Sequence, residues 1–120
     1  MQAIDYKEQF SRSERLLGEG STENLSKKSV LVVGIGGVGG HAAETLARAG
    51  VGRITLVDCD EVALSNLNRQ IVALHSTLGK AKVEALGERL LDINPTAKII
   101  PIRTRLLADG CDGTDISDYD

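Results

Sequence analysis

Glycines at positions 34, 36, 37 and 39 follow directly on an apolar run, in the order VLVVGIGGVG. Gly34, Gly36 and Gly39 have the G-x-G-x-x-G spacing, and the stretch HAAETLARA that begins at His41 has helical composition. A strand that enters a helix through such a turn offers unpaired backbone N–H groups and the positive end of a helix dipole. The absent side chains let phosphate oxygens approach the backbone. The chemistry is anion binding. Asp58 ends a second apolar run, RITLV, where an acid in a dinucleotide-type fold accepts two hydrogen bonds from a ribose hydroxyl pair. NAD, FAD and ATP suit these two features equally.

The residues beyond Asp58 discriminate. Asp60 is followed by the cluster Asn66-Leu67-Asn68-Arg69-Gln70 and then by Lys82. An ordinary dehydrogenase has no use for this cluster, whereas a triphosphate site does. Arg69 can fork onto phosphate oxygens, Lys82 supplies a point charge, and Asn66 and Asn68 carry amide donors and acceptors. Gly79-Lys80 is not a Walker P-loop, because Ala81 follows it and Leu74 stands where the first glycine belongs. A nucleotide therefore binds in the Rossmann manner or not at all.

Positioning these residues requires alternating strands and helices. The pattern predicts strand 30–33, helix 38–49, strand 53–57, a loop, helix 80–93 and strand 98–102, a βαβαβ succession. Val83, Leu86, Leu90 and Ile93 form the stripe that packs the second helix on a sheet, and Asn94-Pro95 ends it. The expected fold class is α/β, a Rossmann-like doubly wound sheet with mostly parallel strands, here one nucleotide-binding half. Residues 1–28 read as an N-terminal helical arm in two pieces broken by Gly18 and Gly20, with Leu16, Leu17 and Leu25 as anchors. Residues 29–120 read as the nucleotide-binding domain, and the acidic, glycine-rich tail DGCDGTDISDYD reads as that domain cut short.

A length of 120 residues suits one domain, and a core with 2% aromatics must be built from Val, Ile, Leu and Ala. A net charge of −3 argues against a general polyanion binder. Cys59 and Cys111 form no C-x-x-C pair, so structural zinc is not expected and both read as reduced thiols. No apolar run reaches the roughly 18 to 20 residues of a membrane span, and the start MQAIDYKEQF has no signal-peptide core, so a cytoplasmic location is expected. His41 and His75 read as surface residues.

With GIGGVG, LVDCDEV, NLNRQ, GKAKVEA and INP in this order, the chain resembles the ubiquitin-activating-enzyme-like superfamily, which includes the ThiF, MoeB and HesA adenylating enzymes. Within it, the opening QFSRSE-x-L-x-G and the run NLNRQIVAL-x-STLGKAK are most similar to the tRNA threonylcarbamoyladenosine dehydratases. The resemblance implies ATP and Mg²⁺ as cofactors and adenylation of a carboxylate. Gly34, Gly36, Gly37 and Gly39 then line the nucleotide turn, Asp58 holds the ribose, and Asn66, Arg69 and Lys82 contact phosphates, with Asp60, Asn68 and Gln70 beside them. It further implies a homodimer in which Arg12 of the arm reaches the phosphates of the other subunit, with tRNA as substrate or a sulfur-carrier or cysteine desulfurase system as partner. In the resembling enzymes an acidic segment beyond the third strand binds magnesium and a second half builds the substrate site. Asp115, Asp118 and Asp120 come too early for that role, so these 120 residues alone are not expected to complete catalysis. The same ATP site also serves adenylation of the C-terminal glycine of a ubiquitin-like sulfur carrier. An NAD-binding oxidoreductase and a non-catalytic nucleotide-binding domain are the alternatives of other classes.

Overall fold

In the computed structural model, which describes residues 5–105 and 116–120, three helical pieces precede the first strand: α1 (Tyr6–Gln9), α2 (Ser11–Leu17) and α3 (Ser21–Ser26). The Asp5 carboxylate caps α1 by accepting from the backbone N–H groups of Lys7 and Glu8. The arm is thus in three pieces rather than two, with an extra break at Phe10 besides the one at Gly18 and Gly20. Its anchor also differs from the expected one. Leu16 and Leu17 are 84% and 56% exposed, whereas Phe10 is 4% exposed and lies against Gly50. Of the three leucines only Leu25 packs on the core.

The strands β1 (Ser29–Val33), β2 (Arg53–Val57) and β3 (Lys98–Ile102) form a parallel sheet in the order β1-β2-β3. Ser29, Arg53 and Lys98 are level at one end, and Val33, Val57 and Ile102 at the other. All three strands therefore deliver their C-terminal ends to one edge of the molecule. β2 is central and buried from Ile54 to Val57, which accounts for its apolar sequence, interrupted only by Thr55.

Two helices, α4 (Gly37–Ala49) and α5 (Lys82–Ile93), return the chain between strands and pack on each other. The core joins Ala43 and Ala47 of α4 to Val83, Leu86 and Leu90 of α5 and to Ile54 and Leu56 of β2, as the helical stripe requires. Small residues on α4 let it lie close to its neighbours. At the surface of this pair the Glu44 carboxylate accepts from Arg89 Nε at 2.8 Å and from Arg48 at 3.3 Å. Burial pushes the Glu44 carboxyl up, but the hydrogen bonds and charges of Arg89 and Arg48 outweigh it and leave it below the ordinary 4.5. A depressed carboxyl contributes stability above that value and loses it as pH falls through the lowered one. Because both arginines are substantially exposed, Glu44→Gln is expected to cost only about 0.5 to 1 kcal/mol at neutral pH. In urea unfolding the difference from the parent should vanish well below pH 4.5.

The stretch between β2 and α5 is an ordered crossover rather than a plain loop. It contains short 3-10 turns at Leu64–Asn66 and His75–Thr77, and Val62, Val72, Ala73 and Ala81 join the core. Backbone bonds from Val62 to Lys80, from Gly79 to Val62 and from Lys82 to Asp60 close it onto itself. His41 and His75 are exposed, as expected. At the chain's end Tyr119 donates to Thr55 Oγ1 at 3.1 Å, and Asp120 exchanges backbone and carboxylate hydrogen bonds with Ser29. Cys111 and Asp115 lie outside the described residues. Among the described residues no helix is long and apolar enough to cross a membrane.

Candidate nucleotide-binding site

The glycine turn stands where β1 hands over to α4. Gly34 has φ of +77°, a conformation that side-chain-bearing residues rarely adopt, and its N–H donates to Val57 O at 2.8 Å. Gly36 has a negative φ and forms the N-cap of α4 with no side chain capping it. The first-turn N–H groups of α4 have no partner of their own in the helix, so donors and dipole both face the level ends of the strands. Gly39 is needed for another reason: a Cβ there would run into the Gly34 carbonyl. Gly37 has open space around it.

Asp58 connects this turn to the second strand. Its Oδ2 accepts from Ile35 N at 3.0 Å and its Oδ1 from Asp60 N at 2.8 Å. The carboxylate thus has a structural task that the sequence did not suggest, while each oxygen retains acceptor capacity, as the expected bond to a ribose hydroxyl requires. Gly34, Asp58 and Asp60 line a crevice of about 360 Å³ at the carboxyl ends of the strands, with Val33, Val57, Cys59, Thr104 and Arg105 completing it. Open parallel sheets bind ligands at such an edge. A larger cavity of about 630 Å³ lies under the arm near Phe10, Gly50 and Asn94, at the other end of α4. Asp58→Ala is expected to cost about 1 to 3 kcal/mol of stability, since it leaves two backbone donors without their charged acceptor, and to weaken nucleotide binding as well. Thermal unfolding and calorimetry on the one variant measure both. Parent-like stability would show that the turn does not depend on this carboxylate.

Lys82 opens α5 with its side chain 8% exposed, and its Nζ lies 4.0 Å from Asp60 Oδ2. Its backbone N–H donates to the Asp60 carbonyl, which fixes the helix start beside the crevice. A cation is therefore held at the site's edge by one exposed carboxylate. Asn66 is buried, and its Oδ1 accepts from Ala63 N at 2.9 Å, so in this state it orders the crossover turn. Arg69 is exposed, its Nη1 donating to Ser65 O and Asn68 Oδ1. Gln70 is buried with its amide against Gly36.

Arg12, by contrast, is not brought to the crevice. It is exposed on α2, and among the described residues it has no hydrogen bond or ion pair. Sequence reasoning missed Phe10 and the crevice residues Thr104 and Arg105. The latter two lie just beyond Ile102, the end of β3, and their place at a strand's carboxyl end was the available signal.

Asp58, Cys59 and Asp60 place ligand atoms within 4.8 Å of one another. They fit magnesium poorly, because that ion favours oxygen ligands over a thiol and Asp60 faces the Lys82 cation.

A parallel sheet, a glycine turn at a helix N-terminus and an acid at the end of the second strand define a Rossmann-like nucleotide-binding domain. Residues 7–120 match the ThiF family, and the chain belongs to that family. It is 50% identical over 95 residues to the tRNA threonylcarbamoyladenosine dehydratase of Bacillus subtilis, an alignment that covers 79% of this chain and 37% of that protein. It is 48% identical over 84 residues to the molybdopterin-synthase adenylyltransferase of Salmonella typhimurium, covering 70% of this chain and 34% of the relative. The crystal structure of the Escherichia coli tRNA N6-threonylcarbamoyladenosine dehydratase in complex with ATP is similar with a TM-score of 0.85 at 40% identity. That likeness covers 91% of this chain and 45% of the other. The chain spans less than half the length of each of these relatives.

Proposed function

We propose that this chain is the nucleotide-binding part of a cytoplasmic, homodimeric enzyme that uses ATP and Mg²⁺ to adenylate a carboxylate, and that the carboxylate belongs to threonylcarbamoyladenosine in tRNA. The observation that carries the reading is the 50% identity to a tRNA threonylcarbamoyladenosine dehydratase across residues that form the glycine turn, Asp58 and the Lys82 helix start. A carboxylate is a poor electrophile. Its oxygen attacks the α-phosphate of ATP, the bond to the β-phosphate breaks, and pyrophosphate leaves. In the acyl-adenylate the ureido nitrogen then attacks the activated carbonyl carbon, AMP departs with the former carboxylate oxygen, and the nitrogen's proton is lost. The net change in the nucleoside is loss of water.

In this reading the α4 N-terminus, Arg69 and Lys82 neutralise phosphate charge, Asn66, Asn68 and Gln70 shape the crossover around it, and Asp58 orients the ribose. Asp60 pairs with Lys82 at the crevice edge and so holds that cation in place until a phosphate takes it. Arg12 supports the homodimer, because its own helix starts at the wrong end of α4.

Adenylation of a sulfur carrier's C-terminal glycine uses the same crevice, and the 48% identity to a molybdopterin-synthase adenylyltransferase favours it as the second reading. The test is to incubate the enzyme containing this domain with ATP, Mg²⁺ and tRNA bearing threonylcarbamoyladenosine. AMP formation dependent on that tRNA, with a modified nucleoside lighter by one water, is the expected result. AMP formation that depends instead on a carrier protein's C-terminal glycine would select the second reading. Stronger thermal stabilisation by NAD than by ATP would remove both.

A further inference from the structure

Gly87 stands in the middle of α5, although glycine is the poorest helix former after proline. Nothing in the fold calls for it. Its φ is not positive, and a Cβ built there would meet only Ile99 Cγ2, at 3.6 Å, which is ordinary van der Waals contact. Alanine would fit and would hold the helix better.

The same helix carries a second cost. Glu84, Glu88 and Asp92 are exposed and recur every fourth residue, so they share one face, and like charges at that spacing destabilise a helix. The helix dipole accounts for Glu84 in the first turn, but Asp92 stands in the last turn, where an acid is unfavourable. Among the described residues Lys80 is the one cation paired with this row, 3.3 Å from Glu88, and both of those side chains are substantially exposed.

Both features border one groove. It holds about 210 Å³ and is lined by Glu84, Gly87, Glu88 and Leu91 of α5 and by Ile99 and Pro101 of β3, with Leu91 43% exposed. β3 is an edge strand of the described sheet. The Lys98 N–H donates to Gly52 O and the Ile102 carbonyl accepts from Asp58 N, so alternate residues turn to β2 while Ile99 and Pro101 turn their backbone groups outward. Pro101 has no N–H to offer there. A further strand is therefore a poor fit to this edge, whereas a side chain laid into the groove meets no such obstacle.

We infer that the groove between α5 and β3 is a docking site for a protein segment that carries an aliphatic anchor flanked by lysine or arginine. The missing side chain of Gly87 keeps room for the anchor, and the row Glu84, Glu88 and Asp92 is complementary to the basic flanks. The groove shares no lining residue with the crevice at the carboxyl ends of the strands, so the inference stands whatever compound that crevice binds.

The test measures, by fluorescence anisotropy, the binding to this chain of three labelled peptides: Lys-Arg-Leu-Val-Lys-Arg, the same peptide with Ser-Ser at its centre, and Glu-Glu-Leu-Val-Glu-Glu. The first should bind saturably, and the other two about tenfold more weakly or less. Gly87→Ala should raise the melting temperature by about 3 to 5 °C and yet weaken the first peptide about tenfold, a combination that a glycine needed for packing does not give. Glu84→Gln combined with Glu88→Gln should weaken it by about the same factor and flatten its salt dependence. Equal binding of the serine peptide would mark general attraction to an acidic chain and overturn the proposal. Parent-like affinity in Gly87→Ala, or a lowered melting temperature, overturns it as well. Self-association of the parent that Gly87→Ala abolishes would seat a second copy in the groove and remove the basic segment as its occupant.

Discussion

Replacing Gly39 by alanine is expected to destabilise the domain by about 3 kcal/mol and to abolish nucleotide binding. The added Cβ runs into the carbonyl oxygen and carbon of Gly34 and comes within 3.7 Å of Val32 Cγ1. The obstacle is backbone, which cannot rotate away as a side chain can. Gly34 is itself fixed by its positive φ and by its bond to Val57 O. Relief therefore requires α4 to shift from β1, which displaces the helix N-terminus from the crevice. Gly37→Ala is the control, since a Cβ there meets nothing within 4 Å; it should match the parent or gain a few tenths of a kcal/mol from helix propensity. Urea midpoints for the two variants decide the matter. A Gly39→Ala protein with the parent's midpoint would show that the turn and helix are not packed as described.

The glycine turn was legible because it combines a spacing rule with a period change, from a short apolar run to a helical stripe. The same holds for β2 and the burial of Val83, Leu86 and Leu90, where local pattern and tertiary burial agree. The crossover was not legible. Its order comes from Val62 and Val72 meeting helices distant in sequence and from backbone bonds that close 62 onto 79 and 80, none of which leaves a periodic signal. The arm misled for a related reason. A helix as short as α2 does not define a face, so Leu16 and Leu17 read as anchors while Phe10, a single aromatic among polar neighbours, took the buried place against Gly50.

The candidate site shows the same division. Residue types at Asp58, Asn66 and Lys82 pointed to one edge of the sheet, and the fold brings Asp58 and Lys82 there through Asp60. What the types could not tell is that Asp58 also ties Ile35 to the turn and that Asn66 closes a 3-10 turn. Short polar side chains bond to backbone as readily as to ligands, and the choice depends on which donors the fold leaves nearby.

Arg12 gives the second large effect, seen when two inactive enzymes are mixed. Phe10 seats the arm against Gly50, at the C-terminal end of α4, whereas the nucleotide turn lies at the helix's beginning. With 13 residues in α4 the two ends are about 20 Å apart, farther than an arginine side chain reaches. If Arg12 contributes to a phosphate site in the full-length dimer, that site belongs to the other subunit. Arg12→Ala and Lys82→Ala homodimers should each be nearly inactive. In a heterodimer of the two, the trans geometry puts both defects into one site and leaves the other whole. An equal mixture should then recover about a quarter of the wild-type rate, since half the dimers are mixed and each has one intact site. The cis geometry damages each site once and restores nothing. The measurement is AMP formation after subunit exchange, with heterodimers counted by native mass spectrometry. Mixed dimers that form and stay inactive would return Arg12 to the role of a surface charge on α2.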